Sequence, residues 1–256
     1  MKLKQVFISL FSMFVGFNAN AASVEQLLKI TITPFDAIDC TFSYSLDNGS
    51  YTINTELTTT GMFGKIYPFS GKYFADGKIE KGNFIQKSYE KRNKSRFNKR
   101  RNRLFYDSKG HLIKRISEKN DKRKIFYLQD HQADEGVNLP TVFIKLIKQV
   151  QIDGNCASTH KVFNGKRSFN VVFKDFEKED PFANENADRS IKCLMHIEST
   201  EEEEDNLLFN ASAGAPVTFW MRRDQQTNLP YIEKIEAKYS KFGYITVQSE
   251  KVDVKR

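Results

Sequence analysis

The most restrictive feature of this chain is a period of two. Along residues 38–46, Ile38, Cys40, Phe42, Tyr44 and Leu46 fall on every second position, with polar residues between most of them. Asn48-Gly49 follows, and residues 51–57 alternate again. Successive strand residues point to opposite faces, so each run has one oily side and one wet side. Asn-Gly supplies the two positive-φ positions of a tight hairpin turn. The same device recurs at Asn164-Gly165, between 161–163 and 168–173, and Asp76-Gly77 and Lys109-Gly110 read as weaker copies. A further pair, 217–222 and 231–239, is joined by residues 224–228, and Gly243 leads into a last strand at 244–248. Strands linked by short turns make an antiparallel meander.

One segment breaks the rhythm. In residues 139–150, Val142, Phe143, Leu146, Ile147 and Val150 recur at helical spacing, with Lys145, Lys148 and Gln149 opposite. Pro140 suits a first helical turn and Asn138 is a cap. The expected fold is therefore mainly β: a single antiparallel, strongly curved sheet, an open or partly closed barrel, with one covering amphipathic helix. Such a sheet must bury its apolar face somewhere, and the helix serves. Residues 177–188 and the five-acid run 201–205 read as loops.

The first 21 residues have the order of a secretory leader. Lys2 and Lys4 open it, 6–17 is mostly apolar, and Ala19-Asn20-Ala21 offers a small-x-small cleavage site. That apolar run is too short for a bilayer, which needs about 20 residues. The reading is a signal peptide at 1–21 and a single exported β domain at 22–256, periplasmic and without a transmembrane anchor. Part of the net charge of +8 belongs to the leader lysines.

Several stretches resemble domain-of-unknown-function family 3108, a family of exported bacterial proteins. They are Cys156, the run Lys161-Val162-Phe163-Asn164-Gly165-Lys166-Arg167-Ser168-Phe169-Asn170-Val171, and Cys193. Near the end come Thr218-Phe219-Trp220-Met221, Asp224, Leu229-Pro230 and Gly243, and the stretch from Tyr51 to Gly61 and the 139–150 helix are also similar. The family's usual hairpin turn is Asp-Gly, where this chain has Asn164-Gly165. The resemblance implies an exported antiparallel β fold and no assigned activity. The chain is also distantly similar to the helix-plugged half-barrels that carry lipids and lipoproteins across the periplasm.

Few residues invite chemistry. Outside the cytoplasm, Cys156 and Cys193 suit a disulfide. Two reduced thiols are the alternative, as is a zinc site with His160 and His196, although residues three apart on a strand point to opposite faces. Cys40, on an apolar strand face, reads as a buried inert thiol. No Gly-x-Ser-x-Gly elbow or His-Glu-x-x-His appears, so no catalytic residue, metal or cofactor is assigned. From Lys87 to Arg103 nine cations accompany one acid, Glu90. Either this is a solvated pair of strands with lysines guarding the edge, or Arg96, Arg100, Arg101 and Arg103 meet an anionic partner. Nucleic acid is not expected in that compartment. The leading expectation is a non-enzymatic protein that binds a lipid, lipoprotein or other hydrophobic envelope molecule in the sheet's concavity, or supports envelope integrity. Phe143, Leu146 and Ile147 would face such a ligand, with Trp220 opposite. The alternative is an interaction protein with its basic strands on an anionic surface.

Overall fold

A computed structural model describes residues 22–47, 49–128, 136–163, 168–176, 190–198, 216–239 and 243–255. The leader, the Asn164-Gly165 turn and both acidic segments lie outside the described residues. Among the described residues fourteen strands form one antiparallel sheet. They are β1 Ala22–Ile32, β2 Phe35–Asp47, β3 Ser50–Thr59, β4 Phe69–Glu80, β5 Asn83–Ser95, β6 Lys99–Tyr106, β7 Leu112–Lys119, β8 Lys122–Tyr127, β9 Ser158–Phe163, β10 Ser168–Asp175, β11 Ile191–Glu198, β12 Val217–Arg223, β13 Pro230–Tyr239 and β14 Gly243–Lys255. The spatial order runs β8 through β1, then β14 back through β9. The helices are α1, Gly61–Ile66, and α2, Leu139–Asp153.

The sheet curls without closing. Phe163, on the β9 edge, packs with Leu104 of β6 and Leu112 of β7, near the far end of the strand order. Among the described residues no ladder joins the two edges. Instead Val137 covers the free side of β9, donating to the Lys161 carbonyl at 3.0 Å and accepting from the Phe163 N–H at 2.9 Å. The other edge, β8, is exposed along its whole length and carries three cations, the arrangement that discourages pairing with another chain.

The expected hairpins are present at β2–β3, β9–β10 and β12–β13. Asp76-Gly77 is not a turn. It lies inside β4, where the register with β5 shifts. Glycine is needed there because the Tyr51 ring and the Ile85 carbonyl stand where a Cβ would be. The real β4–β5 turn is Lys81-Gly82, both at positive φ. A strand that the alternation did not announce, β1, sits at the middle of the strand order between β2 and β14.

Helix α2 begins where Asn138 accepts from the Thr141 N–H at 3.0 Å and ends at Gly154, whose left-handed backbone donates to Val150. It is more deeply set than a covering helix. Thr141, Val142, Ile144, Leu146, Ile147 and Val150 are all buried, so Ile144 joins a face wider than the spacing suggested. Its first turn is held by a buried polar network. The Gln86 side-chain carbonyl accepts from the Asn138 N–H and side-chain amide at 2.6 and 2.7 Å, and the Tyr51 and Thr141 hydroxyls are 3.0 Å apart. Polar groups taken out of water must find partners, and these do.

Candidate functional site

Cross-strand partners share a face of the sheet, so the registers sort the side chains of the basic strands. The row facing α2 runs Tyr44, Ile53, Ala75, Tyr89, Leu104. One step further along the strands it becomes Phe42, Thr55, Tyr73, Lys91, Asn102, Ser117 and Lys124. The next row holds Gly71, Asn93, Arg100, Lys119 and Lys122. The concave side thus grades from apolar core into a polar belt in which every ionisable group on β5–β8 is a cation.

The convex face of the same strands is different. Arg101 donates to Glu90 at 2.8 Å, Arg92 also meets Glu90, and Arg103 donates to Glu118 at 2.8 Å with Arg123 nearby. Among the described residues Lys91 and Arg100 have no carboxylate partner. The Lys91 ammonium lies 5.4 Å from the centre of the Tyr73 ring, a weak cation–π contact. Burial lowers the Lys91 pKa below the usual lysine value, and the neighbouring Arg100 lowers it further. On α2, burial also lowers Lys145, which in turn helps burial to hold His160 below its ordinary value.

The four arginines proposed from sequence are therefore not one site. Arg96 lies in the β5–β6 turn, Arg100 is on the concave face, and Arg101 and Arg103 are tied to acids on the convex face. The apolar set is divided as well. Leu146 and Ile147 are buried in the core, and Phe143 packs on Phe173 and Phe219 with ring centres 6.5 and 5.8 Å away. Trp220 has the opposite parity to Phe219 and stands on the outer face, between the ammonium groups of Lys192 and Lys234 at 5.2 and 5.1 Å. It does not face α2. Sequence reasoning missed Lys91, Asn93, Asn102 and Tyr73, which only the register assembles.

Cys156 and Cys193 are joined as a disulfide with their Cα atoms 5.8 Å apart, so neither thiol is available to a metal. Cys40 is buried, and burial pushes its thiol up to about 12, which makes it a poor nucleophile. The lowered carboxyls have structural causes. Asp107 accepts from the backbone of His111 and Lys109, and Asp224 accepts from Thr227 and Gln226, each inside a turn. Among the described residues no three His, Cys, Asp or Glu side chains gather as metal ligands. No described helix is long and apolar enough to cross a membrane.

These features define the class: an unclosed antiparallel β-barrel with a helix seated in its concave side and a cationic belt beside the helix. No family model matches the chain, so the likeness to family 3108 stands only on the residues quoted for it, and no curated protein matches either. Among solved structures the chain is similar to a β-barrel-like protein of a domain of unknown function, DUF1849, from Brucella abortus. The TM-score is 0.48 at 12% identity, over 92% of this chain and 98% of that one.

Proposed function

We propose that the chain is an exported, periplasmic binding protein that holds the anionic headgroup of an envelope amphiphile on the concave belt of β4–β7. The observation that carries this reading is the contrast between the two faces. The arginines of the convex face are matched by Glu90 and Glu118, whereas half-buried Lys91 and exposed Arg100 stand side by side on the concave face with no acid among the described residues. Two neighbouring cations, one half-buried, work against folding, and an arriving phosphate relieves both. Asn93, Asn102 and Tyr73 supply neutral hydrogen-bonding groups around them. A fully enclosed acyl cargo is a poorer fit, because α2 already fills the apolar part of the concavity. The disulfide and the sequence of the leader support export.

The test uses short-chain phosphatidylglycerol below its micellar concentration, with the matching phosphatidylcholine as control. Titration calorimetry should detect the anionic lipid, with affinity falling as salt rises. Lys91→Met combined with Arg100→Gln should weaken binding by about tenfold or more, in line with ~1.4 kcal/mol per decade. Lys91→Met alone should raise the melting temperature by a few degrees, on the order of 2–4 °C per kcal/mol for a chain this size, because it removes a desolvated charge. Unchanged affinity in the double variant would sink the reading.

A further inference from the structure

One rim of the sheet collects the turns β1–β2, β3–β4, β5–β6 and β7–β8 together with the start of β14, because alternate turns of a meander lie at the same end. That rim is unusually apolar. Helix α1, inserted between β3 and β4, has no buried residue, and Met62, Ile66 and adjoining Tyr67 are 65%, 69% and 66% exposed. Phe35 stands beside α1 with its ring 6.5 Å from that of Phe63, and exposed Tyr244 is tied to the same turn through its carbonyl, which accepts from the Thr33 N–H at 3.1 Å. Phe97, 79% exposed, tops the next turn. A soluble chain gains nothing in water from a helix whose Met and Ile side chains touch solvent.

The charge at this rim has one dominant sign. Lys65, Lys94, Arg96, Lys99, Lys119 and Lys122 stand at the strand ends and turns, and Asp36, Glu118 and Asp121 are the acids interspersed among them. Asp36 lies within 4.0 Å of Lys29, and Asp121 within 3.9 Å of Lys99. Apolar and aromatic side chains projecting from a ring of lysine and arginine match the two layers of a bilayer interface: acyl boundary beyond, anionic headgroups beside. Along the rim the order runs from Tyr244 and Phe35 through α1 to Phe97.

We infer that this rim is a docking edge for an anionic phospholipid bilayer, with Met62, Ile66, Tyr67 and Phe97 entering the headgroup region and the surrounding cations holding the phosphates. The inference rests on the proposed envelope location and not on the headgroup belt. It adds an orientation, since the belt residues Asn93, Arg100, Lys119 and Lys122 lie toward the same end of their strands.

The experiment places a tryptophan at the rim by Ile66→Trp in a Trp220→Phe background, so that the new indole is the sole reporter. Vesicles of phosphatidylglycerol and phosphatidylcholine are added, with and without brominated acyl chains. A blue shift of emission and quenching by the brominated lipid are expected with anionic vesicles, and both should fade as salt rises. Met62→Glu with Ile66→Glu, in the otherwise natural chain, should weaken vesicle co-sedimentation by at least tenfold while leaving the melting temperature and the short-chain headgroup affinity unchanged. Conversely, Lys91→Met with Arg100→Gln should weaken headgroup binding by the same tenfold or more yet retain most vesicle binding, so either idea can fail alone. The docking edge is overturned if the brominated lipid does not quench, or if the double glutamate variant sediments with vesicles as before. It is equally overturned if sedimentation velocity shows that the rim is covered by a second copy of the chain.

Discussion

A Gln26→Leu variant is expected to lose about 2–4 kcal/mol of stability, seen as a lower urea midpoint with an unchanged slope. Gln26 is fully buried. Its amide donates to the Ile232 carbonyl at 2.6 Å and to the Ser249 hydroxyl at 3.1 Å, and its side-chain carbonyl accepts from the Ile232 N–H at 2.9 Å. Those backbone groups need a side chain because the sheet parts there. β13 pairs with β14 from Lys234 to Tyr239, while β14 beyond Gln248 continues along β1 alone. Tyr44 repairs the next gap in the same seam, donating to the Pro230 carbonyl at 2.6 Å. Leucine matches glutamine in size, so little cavity forms. The loss comes from two orphaned peptide groups, each costing about 1–3 kcal/mol, offset in part by the added apolar burial. Gln26→Glu separates the donor from the acceptor role. A carboxyl there must stay protonated to donate to Ile232, so burial raises its folded-state pKa above the unfolded value. Its stability is then full below the unfolded pKa and is lost as pH rises through the folded one. Urea midpoints at pH 5 and pH 8 that agree for Gln26→Glu would remove the bridging role.

The same residue explains why β1 escaped a reading by pattern. Val24, Leu28, Ile30 and Ile32 follow the period of two, but the core position between the first two is a glutamine and Leu27 interrupts the wet side. A polar residue at a core position is the mark of a backbone defect elsewhere, and the partner lies more than 200 residues away in sequence. Local signals were legible where local physics decides. The β2–β3 hairpin and the Asn138 cap need only their own neighbourhoods, and both are present. Asp76-Gly77 misled because glycine serves two purposes, and here it makes room for Tyr51 rather than a turn. The cationic belt was invisible for a related reason. Arg100 and Arg101 are adjacent in sequence and on opposite faces of the sheet, so the run of charge says nothing of which cations meet acids. Trp220 is expected opposite α2, whereas its parity with Phe219 places it on the outer face.

Breaking the disulfide should cost about as much as a large core truncation. Cys156 and Cys193 are 37 residues apart, and closing a loop of that length removes about 3–4 kcal/mol of chain entropy from the unfolded state. Replacement of both by alanine, which leaves no buried hydroxyl, should lower the melting temperature by roughly 6–15 °C. The damage should be local first. Cys156 lies two residues beyond the Gly154 cap of α2, and its N–H donates to Asp175 at 2.7 Å at the end of β10. Cys193 in β11 lies opposite Phe219, which packs with Phe143 of α2 and Phe173 of β10. The bond therefore fastens the exit of the helix to the strands beneath it, next to the edge strand β9. Hydrogen exchange should quicken in the last turn of α2 and in β9 before it does in β1–β4. Loosening α2 also exposes the apolar face of the concavity, so the variant should take up a hydrophobic dye that the oxidised protein excludes. If the alanine pair melts with the natural chain and excludes the dye equally well, the aromatic contacts of Phe143 alone seat the helix, and the covalent tie has no share in keeping the concave side shut.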